Sequence, residues 1–336
     1  MKSTLLIPLL SALAAATLAL PLDAQGRRER RPSAPPKLEN VTWTEGSFES
    51  KALGGKPAEF GVFLPKGYDD EENAEKRYPL IVWLHGMFED HRRFLHRGGG
   101  KVLDDMIGEG ELPEVVMVCA DGDRSSFWTN AVAEGAAYED LVTEDLLAHI
   151  TKTYRVRDDR NGRAIMGVSM GGYGALKIAL KVPALFGTVA VHSAAVLPAE
   201  PDELFERFPW LRDRGASRLA SVFGDPIDVD RYREENVLQL AEEIDVAKLD
   251  GLRIYFDCGT ADRYDFDATN QQLHELLERR EIPHVFRLVE DGGHSWGDGA
   301  TQAALPHSLA FVAAQFAQRA ATQGLEHLLG PGGDGR

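Results

Sequence analysis

"AIMGVSMGGYGAL" (residues 164–176) places Ser169 between glycines at either second neighbour, Gly167 and Gly171, with an apolar run before it and a helix-like pattern after it. A short apolar run that stops at a glycine and restarts with helical periodicity is how a buried strand passes into a helix. A tight turn at that point strains the serine backbone, and the two glycines keep neighbouring side chains out of it. The amides that open the helix favour negative charge beside the serine. Ser169 is therefore the candidate nucleophile, and its partners must be found elsewhere in the chain.

The runs around this stretch set the fold. "YPLIVWLHG" (78–86), "EVVMVCADG" (114–122), "RAIMGVS" (163–169), "GTVAVHSA" (187–194), "LRIYFDCGT" (252–260) and "HVFRLVE" (284–290) are short and continuously apolar, as strands buried on both faces of a parallel sheet are. Before them, "SFESKAL" and "AEFGVFLP" alternate apolar and polar residues, the period of half-buried antiparallel strands. Helical patterns lie between the runs. Tyr138, Val142, Leu146 and Ile150 form one stripe, "NQQLHELLERREI" (270–282) another, and "LPHSLAFVAAQFAQRA" (305–320) a final helix. The alternation predicts an α/β fold, a mostly parallel, doubly wound sheet with helices on both faces and right-handed crossovers. Residues 198–250, after the fourth parallel run, read as short helices and loops inserted above the sheet. They are expected to form a partial cap over a pocket, with Phe205, Phe208 and Trp210 as its apolar surface.

Residues 1–24 carry Lys2, an apolar Leu/Ala-rich stretch and a small residue at Ala24, the pattern of a secretory signal peptide. The protein is thus expected to be secreted or periplasmic, with no stable membrane insertion after cleavage. Residues 25–40 form a basic, proline-rich linker expected to be disordered, residues 41–329 the folded domain, and residues 330–336 a disordered tail. The net charge of −16 excludes a general nucleic-acid binder, which needs a basic footprint. Cys119 and Cys258, the only cysteines, end separate apolar runs and are expected as buried free thiols. No CxxC or His/Cys cluster has metal-ligand spacing, so neither a metal nor a cofactor is expected. Oligomeric state is not legible.

A serine hydroxyl needs a base within hydrogen-bond reach and an acid to orient that base. In a fold of this kind the partners follow the serine in the order acid, then histidine. His85, His91, His96 and His149 precede Ser169. His192 ends the next strand, His274 lies in an amphipathic helix, His284 opens a strand, and His307 and His327 belong to the last helix. His294, in the glycine-rich "VEDGGHSWGDG" after the last apolar run, is the candidate base. The acid is expected on the loop after "LRIYFDC". There Asp262 is preferred, Asp265 is the rival, and Asp257, inside the apolar run, is assigned to structure. A developing oxyanion needs preorganised donors, expected from the backbone N–H groups of Met170 and Met87. Trp128, Tyr173, His192 and Trp296, with Asp121, are candidate substrate contacts.

In this order, "LIVWLHGMFED", "GVSMGGYGALKIAL", "CGTADRYDF" and "DGGHSW" resemble the esterase D / putative esterase family of α/β-hydrolases. That family includes S-formylglutathione hydrolases, feruloyl and acetyl-xylan esterases and mycolyltransferases of the antigen 85 type. The resemblance spans residues 48–316. It implies Ser169 as nucleophile, Asp262 as acid, His294 as base and the amides of Met170 and Met87 as oxyanion donors. It also implies a small-molecule or carbohydrate-linked carboxylic ester as substrate, acetyl or feruloyl esters included. The chain departs from the family's pattern at "MFEDHRRF", where a glycine-rich stretch is usual, and at His192, where a small residue is usual. Transfer of the acyl group to another alcohol, or a non-catalytic binding module on the same fold, are the alternative readings.

Overall fold

The computed structural model describes residues 37–132, 136–209, 211, 216–296 and 303–329. The expected signal peptide, most of the expected linker, the expected tail and Trp210 lie outside the described residues.

Among the described residues, eight strands make one sheet: β1 (Val41–Ser50), β2 (Lys56–Pro65), β3 (Leu80–Leu84), β4 (Val116–Ala120), β5 (Arg163–Val168), β6 (Thr188–His192), β7 (Arg253–Gly259) and β8 (His284–Val289). Their order across the sheet is β1-β2-β4-β3-β5-β6-β7-β8. β2 runs antiparallel to both β1 and β4, and the pairs from β4 to β8 are parallel. The central strands are apolar throughout because both of their faces are covered. In β3, Val82 and Leu84 pack into one core cluster while Ile81 and Trp83 pack into another. β1 sits at an edge, and its burial rises and falls along its length as that position demands.

One face of the sheet carries α1 (Arg93–His96), α2 (Gly99–Gly108) and the last helix. The other carries α3 (Leu147–Thr153), α4 (Met170–Lys181), the short helices α5 (Pro201–Arg207), α6 (Ala216–Phe223), α7 (Val229–Glu235) and α8 (Val237–Glu243), and then α9 (Phe266–Arg279). The final helix, α10, spans Ala304–Leu329. This is the α/β-hydrolase arrangement. Cys119 on β4 and Cys258 on β7 are buried free thiols, kept apart by three intervening strands. Among the described residues no helix is long and apolar enough to cross a membrane.

The stripe Tyr138–Val142–Leu146–Ile150 is helical, but not as one regular helix. A turn at Tyr138–Asp140 leads into a π-helical segment, Leu141–Leu146, and then into α3. A strict four-residue spacing drifts by roughly 40° per step on a helix of 3.6 residues per turn. The wider π turn rotates the stripe back, so Val142, Leu146 and Ile150 all reach the core.

The 198–250 segment folds as short helices, but its described residues stand beside the sheet's helical layer. α8 packs against α4, α7 and α9, and the segment is tied down by a buried charge cluster. Lys177 on α4, fully buried, reaches Glu139 at 2.7 Å and Glu235 on α7 at 2.6 Å, and Lys181 reaches both carboxylates at 2.8 Å.

Candidate active site

The carboxyl ends of β3, β5, β6, β7 and β8 open onto one edge of the sheet, where functional groups of such folds collect. Ser169 follows β5 at that edge with φ 55° and ψ −118°, a left-handed conformation costly for a serine. Three backbone bonds hold it there. Its N–H donates to the His192 carbonyl at 3.0 Å, and its own carbonyl accepts from Tyr173 and Ala195, each at 2.9 Å. The helix can start this close to β3 because Gly171 has no side chain; a Cβ there would lie 2.0 Å from the Leu84 carbonyl oxygen. Met170 is the first residue of α4, so its amide has no acceptor within the helix.

His294 and Asp262 meet across neighbouring loops. The imidazole Nδ1 lies 2.7 Å from Asp262 Oδ2, and both residues are nearly buried. Burial opposes the charge on Asp262, but His294, the Tyr264 amide and the Ser193 hydroxyl outweigh it and hold the carboxyl below its ordinary range. An ionised carboxylate can only accept, so Nδ1 carries the proton that faces Asp262, and the neutral ring's tautomer presents Nε2 as an acceptor. The rival Asp265 is exposed and occupies the left-handed N-cap of α9. Asp257 faces inward from β7 and accepts from Tyr255 at 2.9 Å.

The Asp262 and His294 loops are seated directly on one another. A Cβ on Gly259 would come within 2.0 Å of the Gly292 carbonyl oxygen, and the Ala261 N–H donates to that oxygen at 2.9 Å. Ser193 adds a link that the sequence did not reveal. It turns off β6 at φ 41°, its Oγ accepts from the Ser295 N–H at 2.9 Å, and its hydroxyl also bonds Asp262. One side chain thus touches the acid and the loop that carries the base.

A cavity of about 280 Å³ joins these groups. It is lined by Gly86–Glu89, Arg93, Arg97, Val168, Ser169, Arg263, Tyr264, Phe266 and His294. His85 fixes the first of these segments. Its Nε2 accepts the Gly122 N–H at 2.9 Å, so Nδ1 bears the proton donated to the Gly86 carbonyl at 2.8 Å. Burial keeps the ring neutral by lowering its pKa. Met87, the other expected oxyanion donor, follows directly and lines the cavity.

None of the candidate substrate contacts is in the cavity wall. Trp128 is buried and donates to the His85 carbonyl at 3.2 Å, and Tyr173 is buried and donates to the Glu235 carbonyl at 2.5 Å. His192 is sealed between Asp257 and Ser308, and Trp296 packs edge-on to Trp83 with Arg97 over its ring. His192 stands at a strand end and Trp296 beside His294, yet all four side chains turn into the interior. Asp121 pairs with the buried His91 at 3.1 Å. No described residue of 198–250 lines the cavity; Phe208 stands behind its wall, against Phe266. The wall residues Phe88 and Arg93 come from the stretch that departs from the family pattern, and Arg97 follows three residues after it. That departure was the signal that could have found them.

Glu59, His91 and Asp121 bring ligand-type atoms within 4.8 Å of one another. Burial opposes protonation of His91, yet the bonds to Asp121 and Glu45 raise its pKa, so an ion pair already accounts for this cluster.

The model that describes the family of putative esterases matches residues 50–312. The chain belongs to the putative esterase family. An esterase of Mycobacterium tuberculosis is 28% identical over 270 residues, which cover 74% of this chain and 54% of that protein. An endo-1,4-beta-xylanase/feruloyl esterase of Xylanibacter ruminicola is 28% identical over 155 residues, 45% of this chain and 20% of the other. The chain therefore spans about half of the first and a fifth of the second. A solved ferulic acid esterase superimposes with a TM-score of 0.67 at 28% identity, covering 82% of this chain and 99% of its own. The resemblance drawn from the motifs thus holds for family and fold.

Proposed function

We propose that this family member is an exported serine carboxylesterase that works through an acyl-Ser169 intermediate. The observation that carries the reading is that the strained Ser169 and the 2.7 Å His294–Asp262 pair open onto one cavity. His294 Nε2 takes the Ser169 proton as Oγ attacks the ester carbonyl, and then returns it to the departing alcohol. Asp262 holds the ring in the required tautomer and stabilises the imidazolium. The amides of Met170 and Met87 receive the oxyanion. Water, deprotonated by the same histidine, then releases the acid and free Ser169. The relatives' names support acetyl, feruloyl or other small acyl esters, carbohydrate-linked ones included, as the substrate class.

A panel of p-nitrophenyl acetate, p-nitrophenyl butyrate and methyl ferulate, assayed on wild type and Ser169→Ala, tests the reading. The expected result is turnover by the wild type and a loss on the order of 10⁴-fold or more in the variant. Equal rates in both would overturn the nucleophile assignment, and no turnover of any ester would favour the binding-module alternative. Product appearing as a transferred ester when an alcohol is added would mark acyl transfer. The mass of the protein recovered from outside the producing cell tests export, with loss of residues 1–24 expected.

A further inference from the structure

Two histidines that the proposed chemistry does not use face each other where α9 meets β8. His274 lies on α9 and His284 opens β8. His274 Nδ1 and His284 Nε2 are 2.7 Å apart, and both residues are half-buried. Aromatic rings hold them in this orientation. His284 stacks on Phe256 of β7, with 5.7 Å between centroids and 22° between planes, and the His274 ring lies 5.0 Å from that of Phe286. Neither histidine lines the cavity at Ser169.

The protons of this pair conflict. His284 Nδ1 is 2.8 Å from the Ile282 carbonyl, which can only accept. Nδ1 therefore carries that ring's proton, and Nε2 presents a lone pair to His274. At the other end of His274, Nε2 lies 4.0 Å from the Glu278 carboxylate, which favours a proton there as well. A neutral His274 has one proton for two acceptors. Placed on Nε2, it leaves two lone pairs facing each other; placed on Nδ1, it leaves a lone pair facing a carboxylate.

A metal ion between the rings satisfies both ends. Each imidazole then gives one nitrogen to the ion and keeps its other N–H toward an oxygen, the arrangement that orients histidine ligands of metals. Imidazole nitrogens sit about 2.0–2.1 Å from zinc, so two of them in a tetrahedral set are roughly 3.3 Å apart. The rings need to part by about 0.6 Å to reach that spacing. A quarter of the His274 side chain is exposed, which leaves it room to swing. Glu278 and Glu281 line a cleft beside His284 that admits water to the remaining positions. We propose that His274 and His284 bind one divalent transition-metal ion, zinc or copper, with water completing its shell. The ion would pin α9, which follows Asp262, to β8, which leads to His294.

The full chain, stripped with EDTA and dialysed, is titrated with zinc chloride in a calorimeter and melted with and without zinc. One equivalent is expected to bind with a Kd below about 100 μM. At a hundredfold excess over Kd it should raise the melting temperature by about 2–5 °C. His274→Gln and His284→Gln should each weaken binding at least about tenfold and erase that rise. Glu59→Gln, which alters the other group of ligand-type side chains, should change neither. Copper(II) added in place of zinc should show coupling to two imidazole nitrogens in its pulsed EPR spectrum. No binding by the wild type overturns the inference, as does binding that survives both histidine substitutions or is lost in Glu59→Gln instead. A wild-type copper spectrum without two imidazole nitrogens overturns it even if a histidine variant fails to fold.

Discussion

Two of the Asp–His pairs among the described residues invite comparison. Asp262 and His294 lie on loops, 2.7 Å apart, with Ser169 on the shared cavity. Asp257 and His192 lie within β7 and β6, 3.0 Å apart, with Ser308 Oγ of α10 2.9 Å from the other ring nitrogen. By composition both are Ser–His–Asp sets. By placement they are opposites. The second is sealed beneath α10, its ring close to Trp83 and Trp296, and no substrate can approach it. Its hydrogen bonds satisfy polar groups in a core, which is a structural task. Chemistry requires the same three residue types plus a cavity and a strained, accessible nucleophile.

The largest expected contrast separates the two serines. Ser169→Ala and His294→Ala should each lower kcat by about 10⁴-fold or more with an unchanged melting temperature. Ser308→Ala should leave kcat within about threefold and lower stability by roughly 1–2 kcal/mol, the cost of stranding a buried ring nitrogen. Steady-state kinetics beside thermal melts read both, and a large kinetic loss in Ser308→Ala would break the contrast.

Next come the two acids. Asp262→Asn should cost on the order of 10³- to 10⁴-fold in kcat by inverting the hydrogen bond that sets the His294 tautomer. Asp257→Asn should appear as lost stability, roughly 1–3 kcal/mol in denaturant titrations, since it strands donors from Tyr255 and His192. If the two substitutions exchanged their effects, the roles of the pairs would be reversed.

Ser193→Ala is a finer probe, because Ser193 touches Asp262 and the Ser295 amide without facing the cavity. A fall in kcat of about tenfold at constant KM is expected, with rescue by Ser193→Thr if that hydroxyl keeps its place. A change in KM alone would contradict positioning through Asp262.

The smallest effect is a pH dependence. The folded pKa of Asp262 lies below its unfolded value, so its contribution to stability is present above the unfolded pKa, near 4, and is lost as pH falls through the folded one. Asp262→Asn should therefore flatten the acid limb of the melting temperature below about pH 4. An acid limb as steep as wild type would assign that loss to other carboxylates, with the Glu235–Lys177 pair the first to test.

Much of this was legible because the strands are buried on both faces and so read as unbroken apolar runs, and because Ser169, Asp262 and His294 occupy strand ends in a fixed order. What was not legible depended on side-chain direction. His192 follows Ala190 at the period of two that sends both toward α10, and only the next residue, Ser193, turns toward Asp262 and the Ser295 amide. The cavity wall eluded the sequence for a different reason. Phe88, Arg93 and Arg97 sit on a turn, a four-residue helix and that helix's C-cap, whose path no periodicity encodes.

The contact at Gly259 and Gly292 has a bearing on how such a protein can be changed. Acid and base are carried by two loops locked backbone to backbone, whereas Phe88, Arg93 and Arg97 of the cavity wall hang from the single segment 86–97. The proposed acid and base are thus carried on stretches of gene separate from that wall segment. A library restricted to positions 88, 93 and 97 can be screened for new substrate tastes with the proton-handling parts left as they are.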